Sequence, residues 1–156
     1  MSCNNINIVN VDLSHASIGL MLFNTSYCEI SGCNISYNND LAVYMWFASQ
    51  CKISGCNISY NNLAVYIWYA SQCKFMKNNF IKNTHDVSFS VDYLEIHNNI
   101  WERNYFDKKI PFLPKILVGK VKTRYTYQLW NQEFPIYRIG FYFDWFQAQK
   151  PYDIGG

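Results

Sequence analysis

The sequence predicts an all-β chain, a right-handed parallel β-helix (solenoid) of about five coils closed by a C-terminal capping module. Two observations carry this. Residues 28–51, CEISGCNISYNNDLAVYMWFASQC, and 51–73, CKISGCNISYNNLAVYIWYASQC, are near-identical copies that differ in length by Asp40 alone. The composition is the second: 50% of the 156 residues are hydrophobic, 19% are aromatic and only 15% are charged. Tyr, Trp, Ile and Val in such proportion favour strands, and so few charges disfavour exposed helices.

Weaker copies flank the pair, at 7–15, 74–83 and 94–104. The equivalent positions are read as Ile8, Ile30, Ile53, Phe75 and Glu95, which follow one another at a nearly constant step. A period of about 22 fits either a leucine-rich repeat or a β-solenoid. Short alternating segments broken by Asn and Gly, without several Leu per repeat or a helical arc, select the solenoid. Each coil then holds three strands. In Leu41–Trp46, Leu41, Val43 and Met45 face inward and Tyr44 and Trp46 outward; one coil later Leu63, Val65 and Ile67 face in, and Tyr66 and Trp68 out. The second and third strands hold Ile30 or Ile53 and Ile35 or Ile58. Coils stacked at ~4.8 Å give a rod about 24 Å tall.

Stacked coils imply ladders. Asp12, Asn34, Asn57, Asn79 and Asn99 are expected one per coil, each amide donating to one neighbour and accepting from the other. Cys28, Cys51 and Cys73 form a second ladder, and Cys33 with Cys56 a third; only Cys3 falls outside. In-register cysteines sit too far apart for the usual disulfide Cβ separation of ~3.8 Å, so they read as small buried hydrophobes. Thiolates also suit Cu(I), but His15, His85 and His97 are scattered and carry no ligand spacing. No metal and no cofactor is expected.

The β-helix repeats are placed at 5–104 and an aromatic-rich capping module at 105–156. Pro111, Pro114, Pro135 and Pro151 break the period there. Ile116–Val118, Tyr125–Tyr127 and Ile139–Phe143 read as short strands. An open solenoid end exposes core and sheet edge, which Trp130, Phe134, Trp145 and Phe146 are expected to cover.

The net charge of +2 singles out no partner. Residues 100–156 hold nine Lys and Arg against five Asp and Glu, a modest basic bias that reads as a solvated face rather than a nucleic-acid site. No run approaches the ~18 apolar residues of a membrane span. The first residues show no basic and apolar leader. The first coil shows no cap, so further N-terminal coils of a longer protein are expected in front of Met1.

The segment Ala42–Asn62, AVYMWFASQCKISGCNISYNN, resembles the coil of NosD-like right-handed β-helix proteins, a group labelled periplasmic copper-binding. The likeness covers about residues 5–104. Asn99–Trp101, Asn104–Phe106, Pro111–Ile116, Phe143–Trp145 and Pro151–Ile154 are similar to the segment that ends some members. The resemblance implies an extracellular or envelope location. It also implies an accessory role in maturing a copper enzyme, without supplying a ligand motif on these residues.

The candidate ligand-binding residues are the outward aromatics Tyr44, Trp46, Tyr66 and Trp68. Such ladders dock sugar rings by stacking, and large exposed apolar patches mark contact surfaces; alternatively the tail module or a crossing loop covers them. A polysaccharide or cell-surface glycan is the expected partner. The acids Asp12, Glu29, Asp40, Asp86, Asp92 and Glu95 do not stack, and the best catalytic grouping, His85 with Asp86 and Asp92, reads equally as a polar loop. The chain is therefore expected to be a non-catalytic binding or scaffold module. The alternatives are a polysaccharide lyase or hydrolase whose catalytic coils lie upstream, and the copper-related accessory factor.

Overall fold

The computed structural model describes residues 4–92, 99–108, 113–129, 132–144 and 147–154. Side chains of residues 92 and 123–136 lie outside that description, as do Cys3, Glu95, His97, Trp130, Trp145 and Phe146 entirely. All described regular structure is β. The first coil contributes β1 (Asn7–Val9) and β2 (Ile18–Phe23), the second β3 (Glu29–Ser31), β4 (Asn34–Ser36) and β5 (Leu41–Trp46). The third repeats this as β6 (Lys52–Ser54), β7 (Asn57–Ser59) and β8 (Leu63–Trp68). The fourth holds β9 (Lys74–Met76), β10 (Asn79–Ile81) and β11 (His85–Asp92). The fifth holds β12 (Ile100–Glu102), β13 (Tyr105–Phe106) and β14 (Lys115–Leu129), and β15 (Gln132–Asp144) follows.

Equivalent strands stack in parallel into three sheets, ordered β1-β3-β6-β9-β12, β13-β10-β7-β4 and β15-β14-β11-β8-β5-β2, in the last of which β15 alone is antiparallel to its neighbour. The register is the one that the sequence repeat requires. Ile8, Ile30, Ile53 and Phe75 pair in turn, and Val43 lies beside Val65. Inside, Ile30, Ile35, Val43, Met45, Ile53, Ile58, Val65 and Ile67 are sealed from solvent. Each such side chain contributes roughly 1.5–3 kcal/mol of burial.

The corners have their own chemistry. Asn10, Gly32, Gly55, Lys77 and Arg103 occupy one corner in successive coils, all with φ between 53° and 64°. This left-handed conformation lets each N–H of Asn10, Gly32, Gly55 and Lys77 donate to a carbonyl of the next coil. At Gly32 the missing side chain is required twice over, because a Cβ would also collide with Asn10 Oδ1.

Three expectations need correction. First, the column Ile8–Phe75 continues to Trp101, not Glu95. The step from Phe75 to Trp101 is longer than those before it, so the fourth coil carries an insertion that a fixed period could not anticipate. Secondly, the winding does not stop at residue 104. Tyr105–Phe106 pairs in parallel with β10, and β14 pairs in parallel with β11 through Ser90–Lys120, Val91–Val121 and Asp92–Lys122. Thirdly, the tail strands are long rather than short: β14 and β15 form one antiparallel hairpin. Gly119 makes the docking of β14 possible, because a Cβ there would collide with the Phe89 ring and meet its carbonyl oxygen at 2.5 Å. Tyr142 of β15 covers this end of the core, packed on Phe89 with ring centroids 4.4 Å apart.

Candidate functional site

The Asn column is divided. Asn34 pairs with Asn57, and Asn57 with Asn79. Asn34 Nδ2 donates to Asp12 Oδ1 at 3.0 Å, and Asn57 Nδ2 lies at 3.5 Å from Asn34 Oδ1. Asn79 turns instead to the tail: its Oδ1 accepts the Tyr152 N–H at 2.8 Å and its Nδ2 donates to the Tyr152 carbonyl at 2.9 Å. Asn99 is not part of this column, because the insertion shifts it. Tyr105 pairs with Asn79, and Asn99 stands over Cys73, whose N–H its Oδ1 accepts at 2.9 Å.

The tightest amide column is a different one, at the turns between strands. Asn38, Asn61 and Asn83 are almost fully buried. Asn61 Oδ1 accepts from the Asn38 N–H at 2.9 Å and from Asn38 Nδ2 at 3.1 Å. Asn61 Nδ2 in turn donates to the Ile35 carbonyl and to Asn83 Oδ1, both at 3.0 Å.

The cysteine columns obey the same rule. Cys28, Cys51 and Cys73 form one column, followed by Asn99; Cys33 and Cys56 form another, followed by Asn78, Asn104 and then Asp144. The five cysteines of these columns are buried free thiols. Cys56 Sγ lies 3.5 Å from the Ser54 carbonyl of its own coil and 3.9 Å from the Ile30 carbonyl of the coil before. Asn78 Nδ2, one coil on, donates to the Ile53 carbonyl at 2.9 Å. Burial pushes the Cys56 thiol up to about 12 and raises Cys28 as well. Among the described residues no group of three His, Cys, Asp or Glu is arranged to hold a metal ion.

Of the possible catalytic grouping, Asp86 forms an ion pair with Lys115 at 2.7 Å, largely shielded from solvent. Lys115 Nζ also donates to the Lys108 carbonyl at 2.9 Å and lies over the Phe106 ring. His85 is exposed and, as the preceding residue of the strand, faces the other way. The Asp92 side chain lies outside the described residues.

The outward aromatics meet as the repeat requires. Trp46 and Trp68 stack with centroids 5.0 Å apart and planes 8° from parallel. Tyr44 and Tyr66 stack at 5.5 Å and 21°, and Phe23 sets its edge against Trp46 at 4.9 Å. All four of Tyr44, Trp46, Tyr66 and Trp68 are half-buried. Partial burial, with the Tyr66 hydroxyl close by, raises the Tyr44 phenol above its ordinary range. Within the stack the rings spend their faces on one another.

The stack ends abruptly. One coil beyond Tyr66 and Trp68 the register partners are Ser88 and Ser90, and beyond Ser90 comes Lys120. The outer face therefore changes from ring to hydroxyl to ammonium within three strands. It continues onto β15 as exposed Tyr137, Ile139, Phe141 and Phe143. Ser88, Ser90 and Lys120 escaped the sequence reading, although the serines lie one repeat past Tyr66 and Trp68. A second, smaller aromatic stripe was also missed. His15, Tyr37 and Tyr60 stack at 5.3 and 4.7 Å, and Lys82 Nζ lies 3.0 Å from the Tyr60 hydroxyl. The repeated Tyr-Asn-Asn turn was its sequence signal.

Three parallel sheets wound about one axis, with polar corner columns and an aromatic outer face, define a β-solenoid. A family model described as right-handed β-helix region matches residues 1–109, and the chain belongs to that family. No curated protein and no solved structure gives a significant match.

Proposed function

We propose that this chain is a non-catalytic β-helix module that contacts carbohydrate through the outer face of its six-stranded sheet. The observation that carries the reading is the termination of the Tyr66 and Trp68 columns at Ser88 and Ser90. Ring faces that end beside hydroxyls, rather than beside another ring, offer the mixed apolar and polar surface that a sugar takes. The enclosed Asp86–Lys115 pair supports the non-catalytic part, since Oδ2 of that carboxylate is already engaged by a cation. Placement at a cell surface or in an envelope belongs to the proposal too. It rests on the likeness of residues 42–62 to NosD-like coils.

The test is titration of the chain with a panel of neutral and anionic soluble polysaccharides, read by tryptophan fluorescence and by retardation in polysaccharide-loaded gels. A saturable shift with at least one polymer, reduced about tenfold or more in Trp68→Ala, is the expected result. Absence of any shift across the panel, with the chain folded by circular dichroism, overturns the proposal.

A further inference from the structure

We infer that Ser88 and Ser90 floor a slot for a single anionic pyranose unit, walled by Tyr66 and Trp68 on one side and by Val118 and Lys120 on the other. This rests on the carbohydrate reading above and narrows it to one place and one chemical class. The geometry follows from register. Because Trp46 and Trp68 are parallel and stacked, the second face of Trp68 is turned toward the fourth coil. The residue directly across there is Ser90, whose side chain carries one heavy atom beyond Cβ. Lys120 stands one strand further. Val118 and Lys120 are both exposed, as strand alternation around the inward Gly119 and Val121 requires.

The spacing fits one ring. Adjacent strands lie about 4.8 Å apart, so the Trp68 and Lys120 columns are about 9.6 Å apart across the serines. A saturated ring packed against the indole sits about 3.5–4 Å from its plane, which places it above the Ser90 column. About 5.6–6 Å then remains to the β14 column, room for its side chains to reach the far face of the ring. The serine hydroxyls donate to or accept from ring hydroxyls. The Lys120 ammonium supplies a cation at the far wall, which selects a sugar carrying a carboxylate or a sulfate over a neutral one. Trp46 makes no equivalent slot, because its two sides are taken by Phe23 and Trp68.

The experiment uses dextran, carboxymethyl dextran and dextran sulfate oligosaccharides of matched length, titrated against the full chain and three variants. Ser90→Trp carries the Trp46–Trp68 stack one coil further and fills the slot. Ser90→Ala leaves it open, and Lys120→Gln removes its cation. The expected result is binding of one or both anionic forms over neutral dextran, lost at least tenfold in Ser90→Trp, kept within about threefold in Ser90→Ala, and weakened several-fold in Lys120→Gln. Comparing the carboxymethyl and sulfate forms tells which anion is preferred. Undiminished binding by a folded Ser90→Trp overturns the slot while leaving the broader aromatic face standing. Equal binding of neutral and anionic forms, or no effect of Lys120→Gln, overturns the selection for anions. If no dextran binds, the slot is overturned, and the polysaccharide panel with Trp68→Ala decides separately whether the face contacts glycans at all. Should Ser90→Trp fail to fold, Ser88→Phe and Lys120→Gln give the same discrimination.

Discussion

The side-chain carbonyl of Asn78 accepts the backbone N–H of Cys56 at 2.9 Å. Its amide nitrogen donates to Ile53, three residues before Cys56, at 2.9 Å. The same two-point attachment recurs wherever an Asn stands over the preceding coil. Asn83 reaches the Asn61 N–H and the Ile58 carbonyl, Asn99 the Cys73 N–H and the Ala70 carbonyl, and Asn104 the Asn78 N–H and the Phe75 carbonyl. Cys33, Cys56 and Cys73 face the equivalent carbonyl with a weak thiol donor at 3.7, 3.9 and 3.9 Å, and each lies closer to the carbonyl two residues before it. Asn and Cys are therefore alternative solutions to one corner.

From this equivalence, Cys56→Asn is expected to be neutral or to stabilise the fold by roughly 0.5–1.5 kcal/mol. The new amide would donate to the Ile30 carbonyl, which Cys56 Sγ now faces at 3.9 Å. It would also bring an acceptor to the Cys33 N–H. Urea unfolding of the two proteins decides it. A lowered midpoint for the variant would show that the two residues are not interchangeable here.

Asn61 is the most heavily bonded member of its column and nearly inaccessible to solvent. Truncation in Asn61→Ala leaves the Asn38 N–H and amide, the Ile35 carbonyl and Asn83 Oδ1 short of a partner. At about 1–3 kcal/mol per buried unpaired group, less what relaxation recovers, a loss on the order of 3 kcal/mol is expected. The exposed neighbour in Asn39→Ala should stay within about 0.5 kcal/mol of the parent. Equal midpoints for the two variants in chemical denaturation would refute the ranking.

Gly119→Ala tests the attachment of the terminal hairpin. The added methyl would have to displace the Phe89 ring and backbone together, which costs about 1–3 kcal/mol as overpacking. Hydrogen exchange should quicken in β14 and β11 before it does in β5 and β8. Uniform quickening throughout would show instead that the rod opens as one unit.

The Cys56 thiol gives a pH signature with a definite sign. Cys56 has its folded value raised from 9.0 to about 12, so between those values the unfolded chain loses a proton that the folded chain retains. Stability from this group is fully present below about 9 and falls as pH climbs toward about 12. Cys56→Asn removes the titrating group and should flatten the decline. Urea midpoints of parent and variant at several alkaline pH values supply the comparison, in which parallel slopes would count against a buried, protonated thiol at this position.

How much of this was written in the chain depends on how regular each part is. The pairings Val43–Val65 and Asn34–Asn57, and both cysteine columns, follow from the constant step between repeats alone, because in-register stacking leaves no freedom. The outward set Tyr44, Trp46, Tyr66 and Trp68 follows from alternation. Asn99 was misplaced because the insertion in the fourth coil lengthens that step. The segment Asn104-Tyr105-Phe106, set against Asn78-Asn79-Phe80, held the correct alignment. The hairpin was only half legible, since a strand that leaves the solenoid is no longer bound by the repeat. Lys120 could not be placed beside Ser90 without knowing where β14 joins the sheet.

The close copies at 28–51 and 51–73 leave the assembling chain with a degenerate choice. If the third coil docked directly onto the first, it would meet nearly the same partners as the second coil does. One whole repeat would then be extruded as a loop, at an entropic cost that grows only slowly with loop length. Little inside either copy can tell these threadings apart. Inside the copies the extra residue Asp40 meets Ser17 of the first coil; outside them Asn99 binds the Tyr142 hydroxyl and Asp144 seals the Asn104 corner. The irregular ends thus set the copy number of the middle, and a variant with a third identical repeat would count its coils by the same two bookends.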